Sequence, residues 1–93
     1  MKAAVLIMAA AGLIAAGAAQ AQSGAELVKA KGCLNCHDTD QKKVGPAFKD
    51  VAAKNKGGEA KLVEKLKEGK GHMKVNASEA ELRAAVQYVL SVK

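Results

Sequence analysis

Four apolar patterns with helical spacing run along this chain after residue 22, and no strand-like alternation competes with them. Ser23 and Glu26 have the spacing of a capping box, in which each side chain satisfies a free backbone amide at a helix start. Leu27, Val28 and Ala30 follow before Gly32, which predicts a short first helix. Residues 33–45 keep no sustained period and include Asp38-Thr39-Asp40, which predicts a loop. Pro46 suits the first turn of a second helix, with Phe48, Val51 and Ala52 on one face and Gly57-Gly58 as its stop. Leu62 and Leu66 at i and i+4, with Val63 beside them, predict a third helix from Glu59 to Glu68, ended by Gly69. A loop from Gly69 to Ala77 leads to Ser78 and Glu81, a second capping-box pair, and Leu82, Val86, Val89 and Leu90 form the stripe of a last helix. The expected fold is all-α, about four short helices in one domain without internal repeats.

The segment before these patterns reads differently. Lys2 is a positive lead-in, an apolar, alanine-rich stretch runs from Ala3 to Ala19, and Ala19-Gln20-Ala21 is a small-x-small cleavage pattern. Residues 1–21 are expected to be a signal peptide that is removed, leaving residues 22–93 as the domain and the periplasm as its location. A membrane anchor is the competing reading, but the stretch is short and weakly hydrophobic.

Composition then exposes a shortage. A domain of 72 residues buries little surface by itself, and Phe48 and Tyr88 are its only aromatics, with no Trp. Something besides side chains must fill the middle, and a large, flat, apolar group held covalently would supply both volume and a cross-link.

Cys33-Leu34-Asn35-Cys36-His37 is the C-x-x-C-H pattern of haem attachment. Two residues between the cysteines let the chain turn so that both sulfurs reach the vinyl groups along one haem edge, and His37 then falls under the iron as an imidazole ligand. A thioredoxin-like dithiol should sit in a βαβ pattern, which is missing here. A zinc site needs more ligands than His72 adds. A disulfide leaves both His37 and the thin core unexplained.

For the opposite side of the iron the chain offers two neighbours, Met73 and His72, and position alone does not choose between them. A thioether favours ferrous iron and raises the potential, and an imidazole lowers it. A backbone carbonyl in Gly45-Pro46 suits the other nitrogen of the axial imidazole, and the Asn76 amide suits the Met73 sulfur.

Together, Lys31-Gly32-Cys33-x-x-Cys36-His37, the stretch Val44-Gly45-Pro46-Ala47-Phe48-Lys49-Asp50-Val51-Ala52 and the closing amphipathic helix resemble the small bacterial class I cytochromes c. The resemblance spans nearly all of residues 22–93. It implies helices wrapped around one covalent haem c, thioethers at Cys33 and Cys36, and His37 and Met73 as iron ligands. It also implies the Pro46 carbonyl as partner of the imidazole. Met73 and Asn76 keep the family's spacing between ligand and sulfur-binding amide, which favours Met73 over His72. Lys65 falls where relatives place a basic residue near a haem propionate. The departure is the ligand loop, where Gly69-Lys70-Gly71-His72-Met73-Lys74-Val75 is short, glycine-bearing and without the prolines and Trp of relatives.

The implied function is a periplasmic carrier of single electrons between larger redox proteins, not an enzyme, and a monomer. Binding of a small gas after release of Met73 from its loose loop is the alternative, and a module of a larger redox enzyme is a third reading. Without Lys2 the domain has 14 basic against 9 acidic residues, a formal charge of +5, which two ionised propionates would lower to about +3. Lys42, Lys43, Lys49, Lys54, Lys56, Lys70 and Lys74 are the candidates for steering an acidic docking patch. Nucleic acid is excluded by export and by the lack of interleaved aromatics, and stable membrane insertion is not expected after cleavage.

Overall fold

The structure is a computed structural model, and it describes residues 23–93; the expected signal peptide lies outside them. Among the described residues there are four α-helices, α1 (Gly24–Ala30), α2 (Phe48–Lys54), α3 (Glu59–Glu68) and α4 (Glu79–Leu90), and a 3-10 turn at Cys33–Asn35. Among the described residues there is no strand, and no helix is long and apolar enough to cross a membrane.

Both capping boxes form. Glu26 N–H donates to Ser23 Oγ at 3.1 Å while Ser23 N–H donates to Glu26 Oε1 at 3.1 Å. The same reciprocal pair joins Ser78 and Glu81 at 3.1 and 2.9 Å, and the Ser78 amide holds the Glu81 carboxyl below its ordinary value. Gly69, at φ 75°, closes α3 with its amide on the Lys65 carbonyl, a conformation that favours glycine.

Helix α2 departs from expectation at both ends. Pro46 stands before the helix and not in its first turn, because Ala47 is extended at ψ 145°. The first amides of α2 are instead satisfied from the preceding loop, Phe48 N–H by the Asp38 carbonyl (2.8 Å) and Lys49 N–H by that of Thr39 (3.1 Å). The loop itself is drawn tight by the Asp38 carboxylate, which accepts the Asp40 and Gln41 amides at 2.9 and 3.0 Å and is thereby held below its ordinary pKa. The helix stops at Asn55, short of Gly57-Gly58, where the Asn55 amide turns back to the Val51 carbonyl at 2.7 Å.

Helix α4 is the common partner: α1, α2 and α3 each pack against it, and none of the three packs against another. The buried apolar residues are Leu27, Val28, Ala47, Phe48, Ala52, Val63, Leu82 and Val86. Leu62, Leu66, Val75, Ala77 and Leu90 lie half-buried against the Val63, Leu82 and Val86 cluster. Along the outside of the α3–α4 seam, Lys67 meets Glu79 at 3.0 Å and Arg83 meets Glu79 at 3.0 Å and Glu59 at 3.8 Å. That groove of about 500 Å³ is lined by these paired side chains together with Ala60, Val63, Glu64 and Glu68, and has no cysteine or histidine.

The α1–α4 crossing depends on Gly24. A Cβ there would strike the Ala84 carbonyl oxygen and lie 2.6 Å from Tyr88 Cβ. At an exposed helical position Gly→Ala would stabilise by about 1 kcal/mol through helix propensity. Overpacking against backbone costs about 1–3 kcal/mol, so the sign reverses. Gly24→Ala is expected to lower the denaturant midpoint of the matured protein; a raised midpoint would show that the crossing relaxes freely.

Candidate functional site

The pentapeptide begins where α1 ends. Gly32 takes φ 75°, reversing the chain, and its carbonyl accepts the Asn35 amide at 3.1 Å. The Cys33 carbonyl then accepts the amides of Cys36 (3.2 Å) and His37 (3.0 Å), which coils Cys33 and Cys36 onto one tight turn. Both cysteines are half-buried with no disulfide between them, and burial pushes the Cys33 thiol up from its ordinary pKa.

His37 is held on three sides. Its Nδ1 lies 2.6 Å from the Pro46 carbonyl oxygen, which only accepts, so Nδ1 carries the proton and Nε2 keeps a free lone pair. Phe48 stacks on the ring at a centroid distance of 5.2 Å and an interplanar angle of 25°. Gly45 backs it so closely that a Cβ would lie 2.5 Å from Cε1, 2.8 Å from Nε2 and 2.9 Å from Nδ1. Residues 43–45 are stitched to the pentapeptide by Gly45 N–H on the Cys36 carbonyl (2.6 Å) and Lys43 Nζ on the Leu34 carbonyl (3.0 Å).

Across from this turn lies the loop between α3 and α4. His72 presents a ring nearly parallel to that of His37, with centroids 6.1 Å apart and planes inclined by 6°. Met73 beside it is 71% exposed. Lys65 arches over the loop with its Cε 3.4 Å from the position a Gly71 Cβ would take. Among the described residues the Asn76 side-chain amide donates no hydrogen bond; its main-chain carbonyl instead accepts from Lys31 Nζ at 3.2 Å, tying this loop to the end of α1. The seven lysines expected to steer a partner are all exposed, although Lys43 is tied to Leu34 and Lys70 to Glu68 at 3.1 Å.

The fit of a haem follows from this arrangement. Two thiols sit on one turn, an imidazole with a free Nε2 follows them, and three helices lean on a fourth without touching each other. Leu62, Leu66 and Val75, on α3 and the ligand loop, stay only half-buried against the Val63 cluster. A flat apolar group bonded to the two sulfurs would cover that surface. The close backing of His37 by Gly45 and the facing ring of His72 are features that the linear pattern did not reveal. Only the glycine beside Pro46 hinted at the first.

Comparison with known proteins agrees. The family model described as "Cytochrome C oxidase, cbb3-type, subunit III" matches residues 19–89. Cytochrome c-551 of Pseudomonas aeruginosa is 41% identical, over 97% of this chain and 96% of its own length. Among solved structures, Nitrosomonas europaea cytochrome c552 superposes with a TM-score of 0.62 at 32% identity, covering 74% of this chain and 99% of that one. The class 1 cytochrome MtoD of Sideroxydans lithotrophicus does so with a TM-score of 0.67 at 30% identity, covering 74% and 91%. With the all-helical fold and the C-x-x-C-H turn already in place, these relatives show that the chain belongs to the cytochrome c family, as a small class I member whose cofactor is haem c.

Proposed function

We propose that the mature protein is a periplasmic, monomeric carrier of single electrons and not an enzyme, with haem c joined to Cys33 and Cys36 and its iron held by His37 and Met73. When bound, the haem supplies one-electron Fe(II)/Fe(III) cycling. The chain's part is to hold that iron in one geometry in both states. The observation that carries this reading is the Nδ1–Pro46 hydrogen bond of 2.6 Å, which fixes tautomer and ring direction so that Nε2 is the ligand atom.

Met73 lies on the loop opposite His37, and the family resemblance favours it as the second ligand. Asn76, three residues on, is the candidate to bond the sulfur, and Lys65, beside Gly71 of the loop, is the candidate to meet a propionate. Exposed Lys42, Lys49, Lys54, Lys56 and Lys74 supply a positive field for acidic docking patches on redox partners, an encounter that weakens with salt. Gas binding as a main function gains no support from the relatives.

The test is the absorption spectrum of the ferric, natively matured protein. A weak red sulfur-to-iron charge-transfer band is expected in the parent and should vanish in Met73→Ala. A parent spectrum without that band would overturn Met73 as ligand.

A further inference from the structure

Resting on the reading that His37 and Met73 hold the iron, we propose that His72 is a second axial donor on the Met73 side, taking the sixth position whenever Met73 is released. Two observations carry it. The first is spacing. An imidazole nitrogen binds a metal at about 2 Å and lies about 1 Å from its ring centroid, so two imidazoles on opposite sides of one ion have centroids about 6 Å apart. The His37 and His72 centroids are 6.1 Å apart, and their planes differ by 6°.

The second is tautomer. His72 Nδ1 lies 2.7 Å from the Met73 carbonyl oxygen, which can only accept, so the ring carries its proton on Nδ1 and leaves Nε2 free. His37 does the same through Pro46. Each ring is thus prepared in the form that a metal requires, by a main-chain carbonyl and not by another side chain.

The loop also permits the exchange. Gly69 N–H on the Lys65 carbonyl fixes one end, and Val75 N–H on the Leu66 carbonyl, at 2.9 Å, fixes the other. Between these anchors the chain has no proline, and Gly71 takes φ 71°. Met73, 71% exposed, is the more accessible of the two donors. Exchange by one residue replaces a thioether with an imidazole, which lowers the potential while keeping the iron six-coordinate and closed to small gases.

The experiment uses the matured holoprotein, in which thioether attachment keeps the haem in place when an axial ligand is lost. Met73→Ala and the bulk-preserving Met73→Leu are each made alone and combined with His72→Ala. Ferric electron paramagnetic resonance and near-infrared magnetic circular dichroism are then recorded. The single variants should lose the sulfur band, remain low-spin with a bis-imidazole signature, and show a lower reduction potential. Adding His72→Ala should convert them to high-spin. High-spin iron already in the Met73 variants would overturn the proposal. So would low-spin iron that survives His72→Ala, since it would point to a lysine amine such as that of Lys65. A parent protein with no sulfur band, whose spectrum changes in His72→Ala alone, would overturn Met73 as ligand and uphold the bond to His72.

Discussion

The Cys33→Ala/Cys36→Ala double variant is expected to lack haem and to show no cooperative unfolding transition. The described chain buries only eight apolar residues, of which Ala47 and Ala52 are alanines with little side chain to bury and Ala52 and Val63 are the least completely covered. Isolated helices shorter than about 12–15 residues are marginal in water, and the four here have 7, 7, 10 and 12 residues. Their tertiary support runs through α4 alone, since the other three do not contact one another. Without the haem, Leu62, Leu66 and Val75 stay only half-buried against the Val63, Leu82 and Val86 cluster, and hydrophobic gain no longer offsets chain entropy. Far-UV circular dichroism should show most of the helical signal lost and the melt reduced to a slope. A sharp melt near that of the parent would mean that side chains alone build the core.

The second large effect is expected from Gly45→Ala. Gly45 is not among the glycines with positive φ, so alanine meets no backbone strain there. The whole penalty comes from the methyl group, which would sit 2.5–2.9 Å from three atoms of the His37 ring. The ring cannot retreat easily, because Phe48 stacks on it and Pro46 holds Nδ1. Overpacking costs about 1–3 kcal/mol, and about 4–8 °C in Tm per kcal/mol is usual for a domain of 60–100 residues. The variant should melt lower and also show a perturbed iron ligand field, with partial conversion to high-spin. Gly57→Ala is the control: nothing lies within 4 Å of its Cβ position, but its φ is 74°, so it should lose stability with an unchanged spectrum. An unaltered spectrum in Gly45→Ala would show that the imidazole is not held by this contact.

Much of the fold was legible because its signals are local. Ser23 with Glu26, Ser78 with Glu81, and Gly69 act within three or four residues, and the structure places helix boundaries at each. Pro46 misled because its compatibility with a first helical turn is also local, whereas the actual cap of α2 comes from carbonyls ten residues earlier, at Asp38 and Thr39. The same division holds at the site. The Cys33–His37 turn is contiguous, and proline's missing amide hydrogen pointed to a carbonyl in Gly45-Pro46 as acceptor for the imidazole, with the family resemblance implying that of Pro46. The ring of His72 facing His37 is brought about by α3, α4 and the loop between them across 35 residues, which no periodicity encodes.

The reliance of three helices on α4 also bears on the order in which the chain can settle. Because α4 follows the other three helices in the chain, a growing polypeptide has no surface on which α1, α2 or α3 can settle until α4 arrives. Such a chain stays pliable up to that point. It also leaves Cys33 and Cys36 open until α4 docks.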